Sequence, residues 1–126
     1  MNKKRILIVD DEVASARLLQ RNLERNGGYE ARVEQWPEDA VATAHSFNPD
    51  LILLDLLMPR MPGGNVAAAL DADPLLKNIP IVFLTAGVGR SRVEEHQGVI
   101  CDHPCLAKPA SVDEIVQCIE ANLRNK

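Results

Sequence analysis

Three stretches of the chain are almost wholly apolar: Ile6-Leu7-Ile8-Val9, Leu51-Ile52-Leu53-Leu54 and Ile79 to Leu84. Short unbroken apolar runs of this kind predict strands covered on both faces, as in a parallel sheet. The first predicts a strand over about Arg5–Val9, the second a strand ending at Asp55, and the third a strand over Ile79–Thr85. Pro59 cannot donate to a sheet ladder, so the second of these must end before it. Ala31 and Val33 alternate with charged residues over Glu30–Glu34, which predicts a strand nearer a sheet edge. A last strand is expected over Pro104–Ala107.

Between these runs the apolar period changes from two to about 3.6 residues. Ala14, Leu18, Leu19 and Leu23 predict a helix over Val13–Asn26, closed by Gly27-Gly28. Pro37 suits a first helical turn, and Ala40, Val41, Ala44 and Phe47 form the stripe of a second helix, broken at Asn48-Pro49-Asp50. A third helix starts near Gly64 and runs over Val66–Ala72. A fourth is expected over Ala86–Gln97, short and poor in apolar anchors, with Gly87 and Gly89 in it. The fifth opens on a capping box, Ser111 to Glu114, and carries Val112, Ile115, Val116, Ile119 and Leu123. Strand and helix thus alternate five times. That alternation predicts an α/β fold: one domain over residues 1–126, a doubly wound five-stranded parallel sheet with five helices.

Composition narrows the possibilities. Residues of the hydrophobic class make up 46% of the 126, but aromatics only 3%, so the core must be aliphatic. A net charge of −4 argues against a nucleic-acid surface, which needs a basic stripe. No apolar run is long enough for a membrane span, and the basic start lacks the apolar region of a secretory signal. The three cysteines, Cys101, Cys105 and Cys118, are an odd and sparse set that suits a reducing cytoplasm. Cys101, His103 and Cys105 invite a zinc reading, but no second ligand pair follows. His45, His96 and His103 read as isolated, and Trp36 as a cover for the start of the second helix.

The chemistry lies at strand ends. Asp10 and Asp11 follow the first strand, Asp55 ends the central one, Thr85 ends the next, and Lys108 follows the last. In open α/β sheets ligands bind in the crevice beyond the carboxyl ends of the strands. Three carboxylates gathered there repel one another and raise one another's pKa, and a divalent cation relieves this. Oxygen-only donors suit Mg²⁺. Beside the cation Asp55 can act as a nucleophile toward phosphorus, with Lys108 and Thr85 able to contact phosphoryl oxygens. Taken one at a time these residues have plainer roles: Asp11-Glu12 as a cap for the first helix, Lys108 as a solvated surface lysine.

The four pieces together, Asp10-Asp11, Asp55-Leu56-Leu57-Met58-Pro59, Leu84-Thr85-Ala86 and Lys108-Pro109, resemble the receiver domain of two-component response regulators, the CheY-like superfamily. They span nearly the whole chain in that family's order. The resemblance implies a flavodoxin-like strand order 2-1-3-4-5 and phosphorylation of Asp55 by a histidine kinase or histidine phosphotransfer protein. It implies Mg²⁺ held by Asp10, Asp11, Asp55 and the Leu57 carbonyl, and phosphoryl contacts from Thr85 and Lys108. It also implies a cis Lys108–Pro109 bond. The implied role is cytoplasmic signalling to a downstream effector by a monomer or weak dimer. No direct nucleic-acid or membrane binding is expected, and no enzymatic turnover beyond self-phosphorylation and slow self-dephosphorylation.

The chain departs from the family at Cys105, where an aromatic switch residue is usual, at Cys101 in place of a glycine, and at Ala110 in place of a phenylalanine. A switch without the aromatic is therefore expected, working through residues 86–97. Other readings are a degenerate receiver that serves only as a protein-interaction module, and an aspartyl-nucleophile phosphohydrolase. The latter needs an Asp-x-Asp pair, and Asp10 and Asp11 are adjacent. A nucleotide- or flavin-binding module needs a phosphate-cradling loop where Asp10-Asp11-Glu12 stands. The last helix ends close to the final residue, as expected either for a stand-alone receiver or for one cut from a longer protein.

Overall fold

A computed structural model describes residues 3–85, 99–100 and 103–124. The elements are β1 (Lys4–Val9), α1 (Val13–Asn26), β2 (Tyr29–Glu34), a 3₁₀ turn (Pro37–Asp39), α2 (Ala40–Phe47), β3 (Leu51–Asp55), α3 (Gly63–Ala72), β4 (Ile81–Thr85), β5 (Val99–Ile100), β6 (His103–Ala107) and α4 (Val112–Arg124). The helix expected over 86–97, and with it Gly87, His96 and Cys101, lies outside the described residues.

The sheet order is β2-β1-β3-β4-β6-β5. The pairs β1–β2, β1–β3, β3–β4 and β4–β6 are all parallel. This is the expected five-stranded parallel sheet of order 2-1-3-4-5, with β6 as the fifth parallel strand. The two-residue β5, which the sequence pattern did not suggest, pairs antiparallel with β6 at the edge.

The sheet is buried on both faces, and alternate side chains feed two separate cores. Leu7, Val9, Ile52, Leu54, Ile81 and Phe83 meet Ala44 and Phe47 of α2 and Val66 and Leu70 of α3. Ile6, Ile8, Leu51, Leu53, Val82 and Leu84 meet Ala16 and Leu23 of α1 and Ile115 and Ile119 of α4. The nearly all-aliphatic composition therefore packs a layer of helices on each side of the sheet, and each fully buried Leu, Ile or Val contributes roughly 1.5–3 kcal/mol by leaving water.

The caps account for most boundaries. Gly27 ends α1 at φ 96°, and its N–H donates to the Glu24 carbonyl. Asn48 ends α2 in the left-handed region at φ 56°. The capping box of α4 is formed both ways: the Ser111 N–H donates to Glu114 Oε1 at 3.0 Å, and the Glu114 N–H to Ser111 Oγ at 3.1 Å. Three expectations need correction. β4 starts at Ile81, not Ile79, because Ile79 donates to Leu76 in a turn and Pro80 has no N–H to give. Pro37 opens a 3₁₀ turn and α2 begins only at Ala40. The stripe of α1 is Ala16, Leu19 and Leu23, whereas Ala14 is exposed and Leu18 is 58% exposed. A helix packed against both a sheet and α4 has a broad apolar face, and Leu18 falls on its outer flank.

Candidate functional site

Register brings the polar residues together. In the parallel ladder Asp55 lies opposite Leu84, and Thr85, one step on, lies opposite Ala107. The Lys108 N–H donates to the Thr85 carbonyl at 2.9 Å, so the ladder carries one residue past β6 and sets Lys108 beside Thr85. On the other side of β3, Val9 lies opposite Leu54, which places Asp10 and Asp11 at the same edge. Asp10, Asp55 and Thr85 are the only buried polar residues among those described.

Asp10, Asp11 and Asp55 each offer a carboxylate oxygen, and these oxygens lie within 4.8 Å of one another. Among the described residues it is the only such cluster of potential metal ligands. Lys108 reaches into it: Nζ is 3.0 Å from Asp10 Oδ2 and 3.8 Å from Asp55 Oδ1. The second Asp10 oxygen accepts from the Glu12 N–H at 2.9 Å. Asp10 thus fixes the turn into α1 while its other oxygen holds the lysine. The N-cap of α1 is Glu12 and makes no side-chain capping bond, so Asp11 is not spent on capping and stays half-buried at the cluster. Lys108 is likewise no free surface lysine. The Lys108–Pro109 peptide is cis.

Burial pushes the Asp55 carboxyl from an ordinary 3.8 up to about 6. The Asp10 and Asp11 charges add to the rise, while the Lys108 ammonium and a hydrogen bond from the Leu57 amide oppose it. Desolvation leads and carboxylate repulsion follows, the reverse of the emphasis expected from the sequence. The donor set fits Mg²⁺: hard oxygens only, with no sulfur or imidazole among them. Of the three residues of the zinc reading, Cys101 lies outside the described residues. Cys105 is buried in the core with Phe83, and His103 Nε2 is 2.8 Å from Asp71 Oδ2. His45 also has a partner, Asp73 at 2.7 Å, so neither histidine is isolated.

Two features escaped the sequence reading. Gly63 N–H closes the loop after β3 by donating to the Leu56 carbonyl at 2.8 Å. A Cβ at Gly63 would fall 2.3 Å from the Asp55 carbonyl oxygen, so the glycine lets α3 approach the Asp55 peptide directly. Pro62-Gly63-Gly64 marks a turn in the sequence but not this close approach. Arg60, in the same loop, stacks on Trp36, with its guanidinium 5.0 Å from the ring centre. Trp36 therefore packs against the loop after Asp55 and remains 43% exposed, and is more than a cover for α2.

Three carboxylates and one lysine thus gather at the carboxyl edge of a doubly wound parallel sheet. The family model of the response regulator receiver domain matches residues 6–120, and the chain belongs to that family. It is 43% identical over 113 residues to the response regulator PleD of Caulobacter vibrioides, which covers 89% of this chain and 24% of PleD. It is 44% identical over 86 residues to the alkaline phosphatase synthesis transcriptional regulatory protein PhoP of Bacillus subtilis, 68% of this chain and 34% of PhoP. The chain thus spans a quarter to a third of these relatives. Among solved structures, the signal receiver domain of a signal transduction histidine kinase from Syntrophus aciditrophicus superposes with a TM-score of 0.79 at 29% identity, over 97% of this chain and 91% of that one. The chain is accordingly a receiver domain of two-component signalling, a signalling rather than a classically enzymatic family.

The raised Asp55 pKa has a consequence for stability. Between pH 3.8 and about 6 the folded carboxyl keeps a proton that the unfolded one has lost. Stability without metal therefore falls as pH rises through that window, and the whole penalty is present above it. Asp55→Asn should make the metal-free protein more stable than wild type at neutral pH, with the difference vanishing near pH 3.8. Urea unfolding in chelator at the two pH values checks this; a variant less stable at neutral pH would contradict it.

Proposed function

We propose that the chain accepts a phosphoryl group on Asp55 from the phosphohistidine of a histidine kinase or phosphotransfer protein, and that the change is passed to a downstream effector. The observation that carries this reading is the placing of the Asp55 carboxylate in a buried cluster with Asp10 and Asp11, with Lys108 Nζ 3.8 Å away. An Asp55 oxygen attacks phosphorus, the phosphorus–nitrogen bond breaks, and its electron pair leaves on the imidazole. A carboxyl titrating near 6 is largely ionised at neutral pH and more basic than an ordinary one, which suits a nucleophile. Lys108 exchanges its contact with Asp55 for a phosphoryl oxygen, and the Thr85 hydroxyl donates to another. Asp10, Asp11, Asp55 and the Leu57 carbonyl would hold Mg²⁺, which supplies charge neutralisation at the reacting oxygens.

A groove of about 530 Å³ between α1 and α4 leads to this site, with Asp10 and Lys108 at one end and Leu18, Ala110 and Val112 along it. The small Ala110 leaves space there, and the exposed Leu18 supplies an apolar contact. We place the phosphodonor protein on this groove. We assign the domain to the cytoplasm from its membership of the receiver family. Among the described residues no helix is long and apolar enough to cross a membrane. The acidic balance favours a protein partner over direct contact with nucleic acid.

Cys105 is buried in the aliphatic core, where it cannot swing as a ring does, so the signal travels without an aromatic switch at that position. The segment expected to respond, 86–97, lies outside the described residues. The degenerate-receiver reading loses ground to the intact Asp10–Lys108–Asp55 contacts.

Incubation with acetyl phosphate and Mg²⁺, followed by intact-protein mass spectrometry, should show one phosphoryl addition that chelator abolishes and Asp55→Asn eliminates. Full labelling of that variant would contradict the assignment. Removal of the group should be slow. Leu57, two residues past Asp55, is 55% exposed and has no polar side-chain atom to orient a water. Leu57→Asn should speed loss of the label roughly tenfold, about 1.4 kcal/mol of barrier. A wild-type label that decays at the rate of the variant's would contradict this.

A further inference from the structure

The loop from residue 56 to 62 carries the Leu57 carbonyl and is held from three sides. Met58 is buried in the core, the Gly63 N–H bonds back to Leu56, and Arg60 reaches outward to the β2–α2 connection. There its Nε lies 3.0 Å and 3.3 Å from the two Glu38 carboxylate oxygens, and Nη2 lies 2.6 Å from Oε1. The same guanidinium lies over the Trp36 ring. Glu38 sits in the 3₁₀ turn that the buried Pro37 anchors. The Trp36 N–H donates to Glu34 Oε2 at 3.0 Å, and the Glu34 carbonyl accepts from the Asp10 N–H at 3.1 Å. The end of β2 and the connection after it, tied together by the Trp36–Glu34 bond, therefore touch both the residue that begins the acidic turn and the loop that follows Asp55.

An exposed ion pair alone fixes little, because two long side chains must be ordered in water. A guanidinium fork that also lies on an indole face is different: it is planar, its orientation is set by both partners, and lysine cannot replace it. We propose that Trp36, Glu38 and Arg60 form a clamp that presets the 56–62 loop, and with it the Leu57 carbonyl, for a divalent cation at Asp10, Asp11 and Asp55. This rests on the reading of that cluster as a Mg²⁺ site. The three are positioning residues and touch neither the cation nor the phosphoryl group. Because Trp36 is the chain's only tryptophan, its emission also reports on the clamp.

The test is a calorimetric Mg²⁺ titration of the full chain, with Trp36 emission followed in parallel. Arg60→Ala should weaken Mg²⁺ binding roughly fivefold, the size expected of one stacked, forked ion pair. Glu38→Ala should do the same, and the double variant should be no weaker than either, since the pair acts as a unit. Arg60→Lys should fall with Arg60→Ala, whereas Trp36→Phe, which keeps an aromatic face, should stay near wild type. Mg²⁺ should change Trp36 emission in wild type and lose that effect in Arg60→Ala. Labelling by acetyl phosphate at saturating Mg²⁺ should be unchanged in Arg60→Ala. Wild-type Mg²⁺ affinity in Arg60→Ala, or a labelling defect that saturating Mg²⁺ does not relieve, would overturn the clamp and leave the metal site standing. A wild-type chain that binds no Mg²⁺ would overturn both.

Discussion

A carboxylate taken out of water at the end of the central strand is the constraint around which this fold is arranged. Asp55 is 7% exposed and shares its edge of the sheet with Asp10 and Asp11. Such a group is costly to ionise, and Lys108 compensates only in part because it sits closer to Asp10 than to Asp55. The metal-free site is left with surplus negative charge that a hard cation or an incoming phosphoryl–cation pair can use.

The rest of the structure keeps that burial in register. β3 is buried on both faces, and its ladders set Leu54 opposite Val9 and Asp55 opposite Leu84, which holds the carboxylate at the shared edge. The Lys108 N–H on the Thr85 carbonyl fixes the lysine to the neighbouring strand. Gly63 admits α3 against the Asp55 peptide, and the β2–α2 connection reaches the loop after Asp55 through Glu38 and Arg60. The Trp36–Glu38–Arg60 contact ties the loop after β3 to the turn after β2.

The parts legible in the sequence are those written locally. The unbroken runs at Ile6 to Val9 and Leu51 to Leu54 announce doubly covered strands, and strand-end placing of Asp10, Asp55 and Lys108 announces the site. Gly27 and the Ser111–Glu114 box mark helix ends through rules of a few residues. What stayed hidden depends on contacts distant in sequence. Arg60 meets Glu38 across 22 residues, and His103 meets Asp71 across 32. The stripe of α1 was misplaced toward Leu18 because helical periodicity gives a direction only to within a broad arc. The leading cause of the Asp55 shift was also hidden, since the number of nearby acids is visible in a sequence but the depth of burial is not.

The most direct test is an NMR titration of the Asp55 side-chain carboxyl, without metal and in saturating Mg²⁺. The expected midpoint is about 6 without metal, with a marked fall when Mg²⁺ is bound, as a cation stabilises the charged form. An ordinary carboxylate midpoint that Mg²⁺ does not move would contradict it.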